Sequence, residues 1–199
     1  NRTRFKNRIR HLLFLNGCVA GATDVASPKA KKEIDRLYLP DTTRRFIKQL
    51  LAIIKGFNRE IKMLETEIEK RGQDIEDVKL LQTIPGVGYL TAIIIYAEVV
   101  DINRFRSRKA FASYTGLVPT VRASAERVIT GGITRIGSRP LRTALVETAL
   151  KVTRYSSSLN RFFNRILYKN NVQKARVAVA RKLSLIIYAM LKNREPFRC

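Results

Sequence analysis

The sequence has little with which to hold a metal ion. A chain of 199 residues carries one histidine, two cysteines and only sixteen Asp and Glu. Cys18 and Cys199 lie far apart without ligand spacing, so neither a disulfide scaffold nor a zinc site is signalled. A single His argues against a histidine-based centre. From Asn103 to Cys199 the acids are Glu126, Glu147 and Glu195 alone, too scattered to suggest a two-metal site. No GxxxxGKS phosphate loop is present. No signal peptide is visible, and no apolar run reaches membrane-spanning length. The longest, "LTAIIIYAEVV", is too short and ends among acids, so a cytosolic location is the expectation. The first residue is Asn1, and "NRTRFKNRIRHLLFLNG" opens directly on an amphipathic pattern; we read the chain as part of something longer.

What the sequence has in excess is positive charge. Thirty-nine Lys and Arg leave a net +23, with an isoelectric point near 10.8. Charge of that size opposes compaction, and a polyanionic partner relieves it. Nucleic acid ranks ahead of an anionic membrane surface or an unpartnered basic protein. An apolar fraction of 45% fits a folded chain, as one large domain or two small ones.

Hydrophobic periodicity is helical almost throughout. Phe5, Ile9, Leu12, Leu13 and Leu15 predict a short helix from Arg4 to Asn16, ended by Gly17. Next comes a loop or linker, in which Ser27-Pro28 could start a helix running through Leu37. Asp41 is a plausible N-cap for a long helix from Thr42 to about Asp77. Its stripe of Phe46, Leu50, Ile53, Ile54, Phe57, Ile61, Leu64 and Ile68 has the three-and-four spacing of a helical hairpin or short coiled coil. Such a stripe must be buried on another element or another subunit, so a homodimer or higher oligomer through it is expected. The fold class is mainly α, with residues 1–79 as helix, linker and coiled-coil region and 80–199 as a second domain. Three helices are expected toward the end: Leu141 to about Tyr155, "SLNRFFNRILYKN", and a last one burying Ala175, Val179, Leu183 and Ile186 or Ile187. Only "GLVPT" and "ERVIT" read as strand.

Two stretches could carry function. Between helical patterns, "IPGVG" places Gly86 and Gly88 where a tight turn would leave the N–H groups of the next helix free to meet a phosphate. That is a helix-hairpin-helix arrangement, which grips DNA backbone without reading bases; the plainer alternative is an ordinary helix–helix turn. Arg104, Arg106, Arg108 and Lys109 follow on a short helix. The second stretch, "TVRASAERVITGGITRIGSRPLR", reads as a basic loop holding two serines. A serine attacking a phosphodiester would keep the bond energy as a phosphoserine, and arginines would suit the charge developing on the oxygens. Ser138, just before Pro140 and an apolar helix, reads as an N-cap. Ser124, between Arg122 and Arg127, has no comparable structural task, though a solvated loop serine is common. Arg122, Arg127, Arg135, Arg139 and Arg142 are candidate phosphate contacts, each also readable as surface charge. Tyr114 and Tyr155 could stack on bases, with core packing the default for both.

The run from "LLQTIPGVGYLTAIIIYAEVVDINRFRSRKAFASYTGLVP" to "GGITRIGSRPLRTALVETA" resembles the C-terminal domain of IS110/IS1111-family transposases. The N-terminal segment is similar to the junction where that family's RuvC-like domain gives way to a coiled coil. The resemblance implies DNA recombination using a serine of this domain together with an acidic, Mg2+-binding RuvC-like domain. It also implies a structured non-coding guide RNA beside DNA as partner. The family's serine interval falls on Ser124, with Ala125 where glycine is usual, and Ser138 falls at a helix start where the family often has Asn. The acids of the RuvC-like domain are not in this chain, so no cofactor is assigned to it. Alone, it is expected to be a DNA- and RNA-binding half-site. Two other readings stay open, a non-catalytic nucleic-acid-binding module and a basic coiled-coil oligomerisation domain.

Overall fold

A computed structural model describes residues 1–19, 21–124 and 127–198, with only the backbone described at 121–124 and 127–130. Ala125, beside the candidate serine, therefore lies outside the described residues, as do Ala20, Glu126 and Cys199. Two compact units divide the chain, residues 1–68 and 69–199. Among the described residues the structure is predominantly helical, and no helix is long and apolar enough to cross a membrane.

The first unit contains α1 (Arg2–Leu15), α2 (Pro28–Arg36) and the start of α3 (Asp41–Gly72). Helix α2 begins as expected: the Ser27 hydroxyl accepts the Ala30 N–H at 3.2 Å, and Pro28 fills a first-turn position that needs no donor. Ile9 and Leu13 of α1, Ile34 of α2, and Ile47, Leu50 and Ile54 of α3 close one small core. Lys6 Nζ lies 2.8 Å from Asp24, and that bond, with the Ala26 N–H, holds the Asp24 carboxyl below its ordinary pKa. Farther along α3 the apolar stripe loses cover, and Ile61, Leu64 and Ile68 are 37%, 63% and 39% exposed.

Helix α3 departs from its expected limits at both ends. Asp41 is not the cap but the first helical residue, since the Arg44 N–H bonds the carbonyl of Pro40 at 2.9 Å. The helix stops at Gly72 rather than Asp77. Gly72 is buried against Tyr89 and Ile93, where any side chain would collide, and the Tyr89 hydroxyl donates to the Glu69 carbonyl at 3.2 Å. The helix thus ends on a glycine, a local stop signal, at a place that packing against Tyr89 and Ile93 also keeps free of a side chain.

The second unit holds α4 (Glu76–Gln82), α5 (Tyr89–Val99), α6 (Arg108–Tyr114), β1 (Pro119–Ser124), β2 (Arg127–Ile133), α7 (Arg139–Val152), α8 (Ser157–Lys169) and α9 (Val172–Asn193). Helix α9 is its axle, with α4, α6, α7 and α8 all packed on it. Ala175, Val179, Leu183 and Ile187, four residues apart, form its fully buried seam. Asn171 caps its start by accepting the Lys174 N–H at 2.9 Å. Phe111 of α6 and Leu141, Leu145 and Ala149 of α7 complete the core.

Two expectations change here. The segment read as a basic loop, with strand expected only in "GLVPT" and "ERVIT", is an antiparallel hairpin that takes in part of both, Val121 to Ser124 pairing with Arg127 to Thr130 and Ser124 facing Arg127 in the last rung. An irregularity between Pro119 and Val121 gives β2 one extra residue, and the Thr120 hydroxyl bonds the Gly132 carbonyl there at 3.0 Å. Arg104 and Arg106 do not share a helix with Arg108 and Lys109. Asp101 caps a single 3-10 turn (Ile102–Arg104), and Ser107, accepting the Ala110 N–H at 3.2 Å, starts α6 anew.

Candidate nucleic-acid interface

The IPGVG segment joins α4 to α5, and its two glycines differ in kind. Gly86 has φ +86°, and a Cβ there would lie 2.6 Å from Cβ of Lys151 on α7. Its identity is therefore demanded by turn geometry and close packing. Gly88 has an ordinary φ of −80°, and a Cβ there would meet nothing within 4 Å. It is exposed and stands at the N-cap of α5 without a side-chain cap, so internal packing does not require a glycine at this helix start.

A second cluster forms around the start of α7. The Ser138 hydroxyl accepts the Leu141 N–H at 3.1 Å and lies 2.7 Å from Oε2 of Glu98, to which it donates. One oxygen thus caps α7 and ties it to α5, which is the helix-start role expected of it. Gly137 before it has φ +118°, and a Cβ would collide with the Tyr114 carbonyl, itself the acceptor for the Ser138 N–H at 3.0 Å. The intervening turn also holds Arg135 at φ 56°.

The candidate cations separate by what already holds them. Arg142 is half-buried, and its Nη1 reaches the carbonyls of Thr115 and Arg135, each at 3.2 Å. Arg104 lies over the rings of Phe105 and Tyr114 at 4.6 and 4.8 Å and donates to the Glu98 carbonyl at 2.9 Å. Both guanidiniums have internal work. Arg108, Lys109, Arg135 and Arg139 are exposed. Arg122 and Ser124 share strand β1, with Arg127 opposite Ser124 on β2. Tyr114 packs on Phe105 at 5.2 Å, as its default reading has it, but Tyr155 is 67% exposed and does not belong to the core.

The sequence reading passed over a further group. Arg165 and Lys182 flank the ring of Phe162 at 5.3 and 4.8 Å. The available signal was compositional: residues 148–194 contain eleven Lys and Arg and no Asp or Glu. Among the described residues no three His, Cys, Asp or Glu converge.

Residues 78–164, from α4 into α8, match the family described as "Transposase IS116/IS110/IS902 family". The chain belongs to this family. It is 33% identical over 139 residues to the transposase for insertion sequence element IS1111A of Coxiella burnetii, covering 68% of this chain and 38% of that protein. A putative transposase of Sinorhizobium fredii is 28% identical over 207 residues, across 100% of this chain and 53% of the relative. A pilin gene-inverting protein of Moraxella bovis is 34% identical over 122 residues, 59% of this chain and 38% of its own length. The chain thus spans between about two fifths and about half the length of these relatives. The family match takes in the IPGVG turn, the hairpin and the Ser138 cap, and ends before α9 begins.

Proposed function

We propose that this chain is the serine-bearing C-terminal portion of a DNA transposase, with Ser124 as nucleophile. The observation that carries this is the place of Ser124 in the last paired backbone rung of the two strands, opposite Arg127 and two residues from Arg122, inside the family-matched region. The other end of the hairpin rests on the helical core, where Ile133 packs. The Ser124 oxygen attacks phosphorus, and an Oγ–P bond forms as one P–O ester bond of the strand breaks. The departing strand leaves with a hydroxyl that takes the proton. Attack by a hydroxyl of another strand reverses the chemistry and exchanges the ends. Arg122, Arg127, Arg135 and Arg139 supply positive charge for the non-bridging oxygens. No step is routed through a metal, since among the described residues no three His, Cys, Asp or Glu converge.

The helix-hairpin-helix reading of α4, the IPGVG turn and α5 is retained as a DNA-backbone clamp, supported by the uncovered Gly88 at the α5 start. The stripe of Ile61, Leu64 and Ile68 on α3 is assigned to a second copy of the chain, and a guide RNA joins DNA as partner. The test is to trap a protein–DNA adduct on the full-length protein and map it. A phosphoserine at Ser124, lost with strand exchange in Ser124→Ala while folding and DNA binding persist, is the expected result. Unchanged recombination by that variant sinks the assignment. DNA binding weakened by Gly88→Ala, with no adduct ever formed, would favour a non-catalytic binding module.

A further inference from the structure

Helices α8 and α9 and the foot of the β-hairpin enclose a groove of about 530 Å3. Ile133 of β2, Phe162 and Ile166 of α8, and Val177 of α9 contribute to an apolar floor, while Lys174 and Arg181 stand on its lining as cations. Among the described residues no carboxylate lines it. Phe162 also borders a neighbouring hollow lined by Arg161, Arg165 and Lys182. Its ring is thus half-buried, flanked by charges and reachable from the groove.

A duplex cannot use both features. Its phosphates would suit the cations, but its base faces are already stacked and would leave the floor uncovered. A strand with unpaired bases can use both, bases against the floor and the Phe162 ring, phosphates against the cations. The floor also discriminates between sugars. Gln173 and the backbone of Gly131 and Gly132 also line the groove, but a ribose 2′-hydroxyl laid on Ile133, Ile166 and Val177 would lose water without gaining a partner there, whereas deoxyribose carries no such group. A protein segment would need acidic and aromatic side chains interleaved in register to match both features, whereas every nucleotide brings one phosphate and one flat base.

We propose that this groove holds single-stranded DNA, the unpaired stretch next to the phosphate at which the chain acts. The location relative to the scissile bond rests on the role proposed for Ser124; binding itself does not. Pro119 lines the groove and Ser124 lies five residues along the same strand, a span of about 17 Å at 3.3–3.4 Å per residue. That corresponds to about five stacked nucleotides at 3.4 Å each. The groove would keep a cleaved strand from reclosing on its complement until exchange is complete.

The test is fluorescence anisotropy on the full-length protein with oligo-dT, oligo-rU and duplex DNA of equal length. Lys174→Glu/Arg181→Glu changes two exposed side chains. It is expected to lower oligo-dT affinity at least tenfold and duplex affinity by a clearly smaller factor. Removing two single-strand phosphate contacts should reduce the slope of log affinity against log salt by about 1.4. Phe162→Leu keeps apolar bulk and removes the ring, and should cost roughly fivefold or more for oligo-dT. Circular dichroism melting of each variant checks the fold. Unchanged oligo-dT affinity in folded variants overturns the proposal, as does an equal loss for duplex, or oligo-rU binding as tightly as oligo-dT. Equal competition by an oligo-glutamate of matching charge does so too. Ser124→Ala run in parallel keeps the questions apart: it should bind oligo-dT normally yet form no adduct, so either reading can fall alone.

Discussion

Replacing Ser138 separates the two serines of the basic segment by physics. In Ser138→Ala, α7 loses its N-cap, worth about 1 kcal/mol. Glu98 loses a charge-assisted bond at 2.7 Å, and since both residues are half-buried the low end of the usual range applies, about 1.5 kcal/mol. The expected cost is therefore about 2.5 kcal/mol. For a unit of residues 69–199, each kcal/mol moves the melting temperature by roughly 3–5 °C, so a fall of about 10 °C is expected in a thermal melt. Ser138→Asn should recover most of it, because Asn caps as well as Ser and its amide can donate to Glu98. Ser138→Asp keeps the cap but sets two carboxylates together, and should fall between. Strand exchange by Ser138→Asn should persist at temperatures where the protein is folded. A Ser138→Ala protein that melts like the parent yet no longer exchanges strands would refute the argument. The hydroxyl beside Glu98 would then be doing chemistry, and the nucleophile would not be Ser124.

Gly86→Ala should destabilise by about 2 kcal/mol in urea unfolding, from a strained positive φ and a Cβ 2.6 Å from that of Lys151. Gly88→Ala should cost under about 1 kcal/mol while weakening duplex binding, and unweakened binding would remove Gly88 from the interface. Arg142→Ala should lose about 2 kcal/mol through the carbonyls of Thr115 and Arg135, whereas exposed Arg139→Ala should change stability by less than about 0.5 kcal/mol. Equal effects from the two arginines would mean that the Arg142 contacts contribute nothing.

Much of the architecture is legible where the determinants are local. Helix α9 announces itself by the four-residue spacing of Ala175, Val179, Leu183 and Ile187, and the Ser27 and Ser138 caps by the prolines that follow them. What escaped detection depends on distant partners. Gly72 offers a local stop for α3, but that Tyr89 and Ile93 close over it is visible only in the fold. "GLVPT" and "ERVIT" already point to strand, but not to the pairing of Val121 to Ser124 with Arg127 to Thr130, because the segment is short, polar and glycine-bearing and lacks a strong alternation. Arg104 and Arg142 look like their exposed neighbours in sequence, and only the fold reveals the rings and carbonyls that occupy them. The Ser124 assignment owes more to motif interval than to local chemistry.

The axle of the second unit is its last helix. While the chain is being made, α4, α6, α7 and α8 emerge before the surface that joins them, and contacts such as those of α4 with α9 wait for about a hundred further residues. Until Ala175 to Leu191 have left the ribosome, the hairpin bearing Ser124 has no finished body to stand on. A chain cut short upstream of α9 would therefore carry the hairpin without the helical frame beneath it, and its second unit should fail to fold.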